Sequence, residues 1–188
     1  MVRRSTLIVA IVLAICAGLA GGYVLWNYPK VTAIAEDSFI LSSHLYEHMS
    51  QQEYEEYQAW LENAALDTEE DYVHWLWDLS LPFNRFGWYL NRFFLQESET
   101  VEVIMKSDEP LGVVQFDEIP AYGVSIITIR SGVSGDVKNL FSATVKRVDG
   151  NWELRFTFKA ERSGHYFLQI LNELPDQVSC RYAVTLRS

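Results

Sequence analysis

A chain of 188 residues with 49% hydrophobic side chains carries enough apolar mass for one packed domain with a helical appendage, which excludes disorder over most of its length. Its formal net charge of −10, from 25 acidic and 15 basic side chains, excludes nucleic acid and anionic lipid headgroups as natural ligands of its acidic part. Of its two cysteines, Cys16 lies in an apolar block and Cys180 near the end, so no disulfide is available to staple the folded portion.

The apolar block comes first. From Thr6 to Trp26 the chain reads TLIVAIVLAICAGLAGGYVLW, and no charge falls between Ser5 and Pro29. That length matches the ~20 residues an α-helix needs to cross a bilayer core. Arg3 and Arg4 precede the block and only Lys30 follows closely, which predicts a cytoplasmic tail over 1–4 and a transmembrane helix over 5–28. The expected localisation is the cell membrane, single-pass, with the N-terminus inside and the remainder extracytoplasmic. A cleaved signal peptide, with Gly18 and Ala20 at a small-residue cleavage site, is the competing reading.

Charge divides the remainder. Residues 31–98 hold 13 acidic and 2 basic side chains, whereas residues 99–188 hold 12 and 10. The first stretch is expected to be an acidic, mainly helical membrane-proximal segment over 29–98, and the second an antiparallel, jelly-roll-like β-sandwich over 99–188. The fold class expected is therefore a transmembrane helix followed by an α+β ectodomain.

Residues 33–49 fit helix or strand. Ser50 and Glu53 form a capping-box pattern ahead of Tyr54, Tyr57, Leu61 and Ala64 at helical spacing, and Thr68 with Asp71 repeats it before Val73, Leu76 and Trp77. Leu81-Pro82-Phe83 ends that second helix. From Glu99 onward strands take over: Val101, Val103 and Met105 alternate with Glu102 and Ile104, residues 111–116, 124–130 and 141–148 read as further strands bounded by Gly, Pro, Asp or Asn, and alternation returns at 165–171 and 182–186. Asp149-Gly150, between Val145-Lys-Arg-Val and Trp152-Glu-Leu-Arg-Phe, predicts a tight hairpin turn.

Two patterns in this region carry a resemblance. Thr100-Val-Glu-Val-Ile-Met-Lys-Ser-Asp-Glu-Pro-Leu precedes a second strand, and Phe158-Lys-Ala-Glu-Arg-Ser-Gly-His-Tyr-Phe-Leu-Gln-Ile-Leu-Asn places a Ser-Gly turn before an alternating strand. Residues 95–188 thereby resemble a GOLD-type (Golgi dynamics) lumenal β-sandwich. The resemblance implies a non-catalytic interaction domain and supplies no catalytic residue. Cargo receptors of that family place the membrane helix last and carry a coiled coil, neither of which this sequence does, so a role in cargo selection is not implied.

The sharpest chemical motif is His44-Leu-Tyr-Glu-His48. On a helix, an H-x-x-E-H string sets two imidazoles on one face to bind zinc, with Glu47 as general base. His74 is a conceivable third ligand. Phe86 to Phe94 is dense in aromatics, and Trp88, Tyr89 and Phe93 are candidates for an interaction or stacking surface, with core packing as the plainer reading. His165 reads as packed or solvated, and Ser131-Gly-Val-Ser-Gly135 lacks nucleophile-elbow spacing. No cofactor motif is present.

The function expected from these features is a non-catalytic, membrane-tethered extracytoplasmic accessory protein that binds a protein partner or surface component through its β-sandwich. The alternatives are a carbohydrate or small-ligand module using the aromatic cluster, and a small zinc-dependent hydrolase centred on His44, Glu47 and His48.

Overall fold

Alternation of period two sets one side of a strand toward a core and the other outward, as in Asn151–Lys159, where Phe156 and Phe158 are buried between exposed or half-buried neighbours. A computed structural model describes residues 32–119, 122–132 and 143–187. In chain order the elements are β1 (Thr32–Leu41), α1 (Gln51–Ala64), α2 (Glu69–Asp78), β2 (Phe83–Arg85), β3 (Trp88–Leu95), β4 (Thr100–Ser107), β5 (Leu111–Ile119), β6 (Val124–Ser131), β7 (Thr144–Val148), β8 (Asn151–Lys159), β9 (Gly164–Asn172) and β10 (Val178–Arg187).

The strands form two five-stranded sheets. Sheet I has the order β1-β10-β4-β8-β7 and is antiparallel throughout. Sheet II has the order β2-β3-β9-β6-β5 and contains one parallel pair, β6 with β9. A parallel pair needs a long connection, and here the chain between β6 and β9 contributes β7 and β8 to sheet I.

Between the sheets lie the inward side chains, among them Val103, Met105, Leu154, Phe156, Leu168, Ile170, Tyr182 and Val184, all at most 1% exposed. Each large one contributes roughly 1.5–3 kcal/mol by leaving water. At the β7–β8 turn Asp149 and Gly150 both take positive φ, 50° and 85°, the conformation that the hairpin signal demands.

Two helices cover the outer face of sheet II. Each opens with the reciprocal capping box expected of it, Ser50 with Glu53 and Thr68 with Asp71. Val73 and Leu76 of α2 pack on Leu90, Val124, Ile126 and Phe167 of the sheet. Trp60 of α1 stacks on Phe83 at 5.5 Å, and its edge meets Trp88 at 5.9 Å.

The expected fold class needs correction. The described residues are dominated by two β-sheets with two short helices against one of them, rather than by an acidic, mainly helical segment followed by a separate sandwich. Residues 32–41 are a strand that pairs with β10 along its length, and β2 and β3 belong to sheet II. Asp37 obscures the alternation of β1, because it faces the core side, where the Tyr89 hydroxyl donates to it at 2.7 Å. The membrane, single-pass and extracytoplasmic expectations are corrected as well: among the described residues no helix is long and apolar enough to cross a membrane. The predicted tail at 1–4 and span at 5–28 lie outside the described residues.

Candidate functional site

His44 follows β1, and both of its ring nitrogens are committed. The indole Nε1–H of Trp88 donates to Nε2 at 2.9 Å, and Nδ1 lies 3.0 Å from the carbonyl oxygen of Phe86. An indole only donates and a carbonyl only accepts, so the ring is the neutral tautomer with its proton on Nδ1. Burial lowers its pKa below 6.5, against a smaller opposing pull from the Phe86 carbonyl. No lone pair remains for a metal.

The rest of the H-x-x-E-H string does not assemble a metal centre either. Tyr46–His48 is a single 3-10 turn, so the helical face the motif requires is absent. His48 Nε2 lies 3.6 Å from Glu47 Oε1 at the surface, while His74 neighbours Glu70 on α2 at 3.7 Å. No group of three or more His, Cys, Asp or Glu side chains suited to a metal occurs among the described residues.

The three aromatic candidates separate onto opposite faces of β3. Tyr89 and Phe93 point into the core and are 1% and 5% exposed. Tyr89 stacks on Phe39 at 3.7 Å and lies 3.2 Å from the Tyr182 hydroxyl, and burial raises its pKa. Trp88 points outward beneath Trp60 and Trp75. These rings form no common exposed plane on which a sugar could stack.

Other reactive side chains are likewise occupied. The Ser131 hydroxyl is buried and donates to Asn172 Oδ1 at 3.0 Å, and Ser134 and Gly135 lie outside the described residues. Burial pushes the Cys180 thiol up to about 12. His165 packs edge-on against Trp77 at 4.8 Å, and burial, followed by the Arg92 charge, lowers its pKa.

The most organised polar surface is the outer face of sheet I. The registers turn Lys106, Lys146, Arg155, Lys159, Arg181 and Arg187 outward, against the carboxylates Glu36, Glu102 and Glu153. Glu102 and Glu153 are 8% and 4% exposed, covered by the cations they bind. Glu153 takes Lys146 at 3.3 Å, Lys106 at 3.4 Å and Arg155 at 3.4 Å, while Glu102 takes Arg155 at 3.1 Å and also Arg187. Burial opposes ionisation of Glu153, yet the pull of Lys146, Lys106 and Arg155 together holds its carboxyl below the usual value.

One transverse row crosses all five strands: Ser38, Arg181, Lys106, Glu153 and Lys146 are successive cross-strand neighbours. An open cleft of about 650 Å³ lies over its β1 end, lined by Ser38, Ile40, Lys106, Ser179 and Arg181 and on one side by Val148, Asp149 and Asn151 of the β7–β8 hairpin. The opposite side of the molecule has the opposite charge. Between Ser42 and Asn84 the chain carries ten acidic side chains and no Lys or Arg, and α1 and α2 lie in this stretch on sheet II.

Sequence reasoning missed Arg181, Lys106 and Glu153 as a group. Alternation alone set each of them outward, but their convergence depends on strand order and register. No protein-family model, curated protein or solved structure matches this chain.

Proposed function

We propose that this chain is a non-catalytic interaction protein that binds a protein partner through the outer face of sheet I. The observation that carries the reading is the contrast between the two outer faces. Helices α1 and α2 cover that of sheet II, whereas no described element packs over that of sheet I, where Ser38, Ser179, Arg181 and Thr157 are exposed. Four of its cations, Lys106, Lys146, Arg155 and Arg187, are held in place by two nearly buried carboxylates. Pre-ordered charges of this kind favour specificity and fast association because less side-chain entropy is lost on docking.

Against catalysis, the nucleophile and base candidates among the described residues are engaged in packing: His44 by Trp88 and Phe86, Ser131 by Asn172, Cys180 by burial. The resemblance of residues 95–188 to a GOLD-type sandwich supports the same class of role.

The reading is tested by affinity capture of the tagged full-length chain, with quantitative mass spectrometry of what it retains. Ile104 is central on the face and half-buried, so Ile104→Glu is expected to abolish retention of a stoichiometric partner, while Gln52→Arg on α1 leaves it intact. Retention by Ile104→Glu contradicts the proposal, and loss in Gln52→Arg would move the interaction to the helices.

A further inference from the structure

Resting on that reading, we infer that the cleft over Arg181 and Lys106 receives an extended acidic segment of the partner, with a carboxylate between the two cations and an apolar neighbour against Ile40.

Arg181 and Lys106 are directly opposite one another on β10 and β4, both outward. Like charges so placed repel, and an anion seated between them reverses the sign of that interaction. Lys106 is partly neutralised by Glu153 at 3.4 Å. Arg181 has no ion-pair partner among the described residues, which leaves its planar fork free for the bidentate geometry that a carboxylate matches. The hydroxyls of Ser38 and Ser179 flank it across the adjoining registers, one beside it on β1 and one two residues earlier on its own strand.

Against the two cations the lining sets one carboxylate, Asp149 of the β7–β8 turn, and its apolar part selects the kind of anion. Ile40 is 58% exposed on the same face and gains only if the ligand brings apolar surface with its charge. An open cleft of about 650 Å³ is larger than a free oxyanion fills. Alternating acidic and apolar side chains on an extended segment meet both demands.

The acidic helices do not oppose such a ligand. They lie beyond sheet II, and the two sheets alone are ~10 Å apart, more than the ~8 Å over which charge is screened at physiological ionic strength.

The test is fluorescence anisotropy of the full-length chain with a fluorescein-labelled seven-residue peptide of alternating Glu and Val, at physiological salt. Saturable binding is expected, weakened at least tenfold by Arg181→Gln and by Lys106→Gln and unchanged by Lys159→Gln, with no displacement by inorganic phosphate at matched ionic strength. The inference is overturned by equal binding in Arg181→Gln, by equal binding of an alternating Lys and Val peptide, or by displacement with phosphate. It is also overturned if the chain alone forms concentration-dependent oligomers that Arg181→Gln disperses, since the occupant is then the acidic helical layer of a second copy. In affinity capture, a partner lost in Ile104→Glu but fully retained by Arg181→Gln leaves the binding face standing and removes only this cleft; a partner retained by both removes the face itself.

Discussion

Trp88 and His44, 44 residues apart, are joined by an indole-to-imidazole hydrogen bond of 2.9 Å that ties the end of β1 in sheet I to the start of β3 in sheet II. The backbone N–H of His44 also donates to the Asn172 carbonyl at 2.7 Å, and Tyr57 of α1 lies edge-on to the imidazole at 6.3 Å. His44 therefore acts as a polar joint between the two sheets and the helical layer. Replacing it with Phe leaves the Trp88 N–H and the Phe86 carbonyl without partners, at about 1–3 kcal/mol for each buried group. His44→Phe is expected to lower stability by about 2–4 kcal/mol in urea denaturation, while His48→Phe changes it by less than about 0.5 kcal/mol.

The same joint makes stability depend on pH. The folded-state pKa of His44 is depressed below 6.5 by burial, so the fold favours the neutral ring. Its contribution is complete above the unfolded value and is lost as pH falls through the folded value, because the unfolded chain then binds a proton the folded chain does not. His165 is depressed in the same direction. Thermal midpoints are expected to be level above about pH 7 and to fall below about pH 6.5, with a slope of up to ~1.4 kcal/mol per pH unit for each proton. His44→Asn should flatten this decline, and an unchanged slope in that variant would assign it to other groups.

Zinc gives a separate check on the H-x-x-E-H string. With both His44 nitrogens engaged and no described trio of ligands, excess zinc or a chelator is expected to leave the thermal midpoint unchanged. A zinc-dependent rise abolished by His48→Ala would contradict the neutral, hydrogen-bonded role of His44.

Gly87 and Gly150 both take positive φ, 72° and 85°, but their surroundings differ. A Cβ on Gly87 would meet the backbone nitrogen of His44 at 2.4 Å, whereas one on Gly150 meets nothing within 4 Å. Gly150→Ala should cost only the strain of a left-handed conformation, about 1–2 kcal/mol. Gly87→Ala adds a backbone clash and is expected to cost at least about 3 kcal/mol, read from denaturant midpoints. Equal costs would show that the β1–β3 junction yields more readily than the packing implies.

Glu153 is the electrostatic centre of the outer face of sheet I. Its removal leaves Lys106, Lys146 and part of Arg155 without their shared anion, but those cations are 42–53% exposed and water screens much of the loss. Glu153→Gln is expected to destabilise by about 1–2 kcal/mol at low salt and by less at 1 M salt, roughly where the Debye length falls to ~3 Å. A salt-independent effect would point to packing instead of charge.

The sequence made short-range features visible and concealed long-range ones. Both capping boxes, the Asp149-Gly150 turn and the inward alternation of Val101, Val103 and Met105 are local and appear as read. Strand β1 was ambiguous because Asp37 interrupts its apolar side, and the compensating hydroxyl of Tyr89 is 52 residues away. The aromatic run 86–94 was legible as packing material but not as two faces, since only the register of β3 against β9 turns Tyr89 inward and Trp88 beneath the helices. The H-x-x-E-H spacing was present without the helix that gives it meaning. The row from Ser38 to Lys146 draws on all five strands of sheet I, and nothing in the spacing of those residues announces it.

Site-specific photo-crosslinking tests the binding face most directly. A photoreactive phenylalanine analogue is placed at Thr157, exposed on the outer face of sheet I, or at Gln52, exposed on α1, and the full-length chain is irradiated in its native cells. A discrete protein adduct from Thr157 and none from Gln52 is the result predicted here; an adduct from Gln52 alone would move the interaction to the acidic helices and contradict the assignment of sheet I.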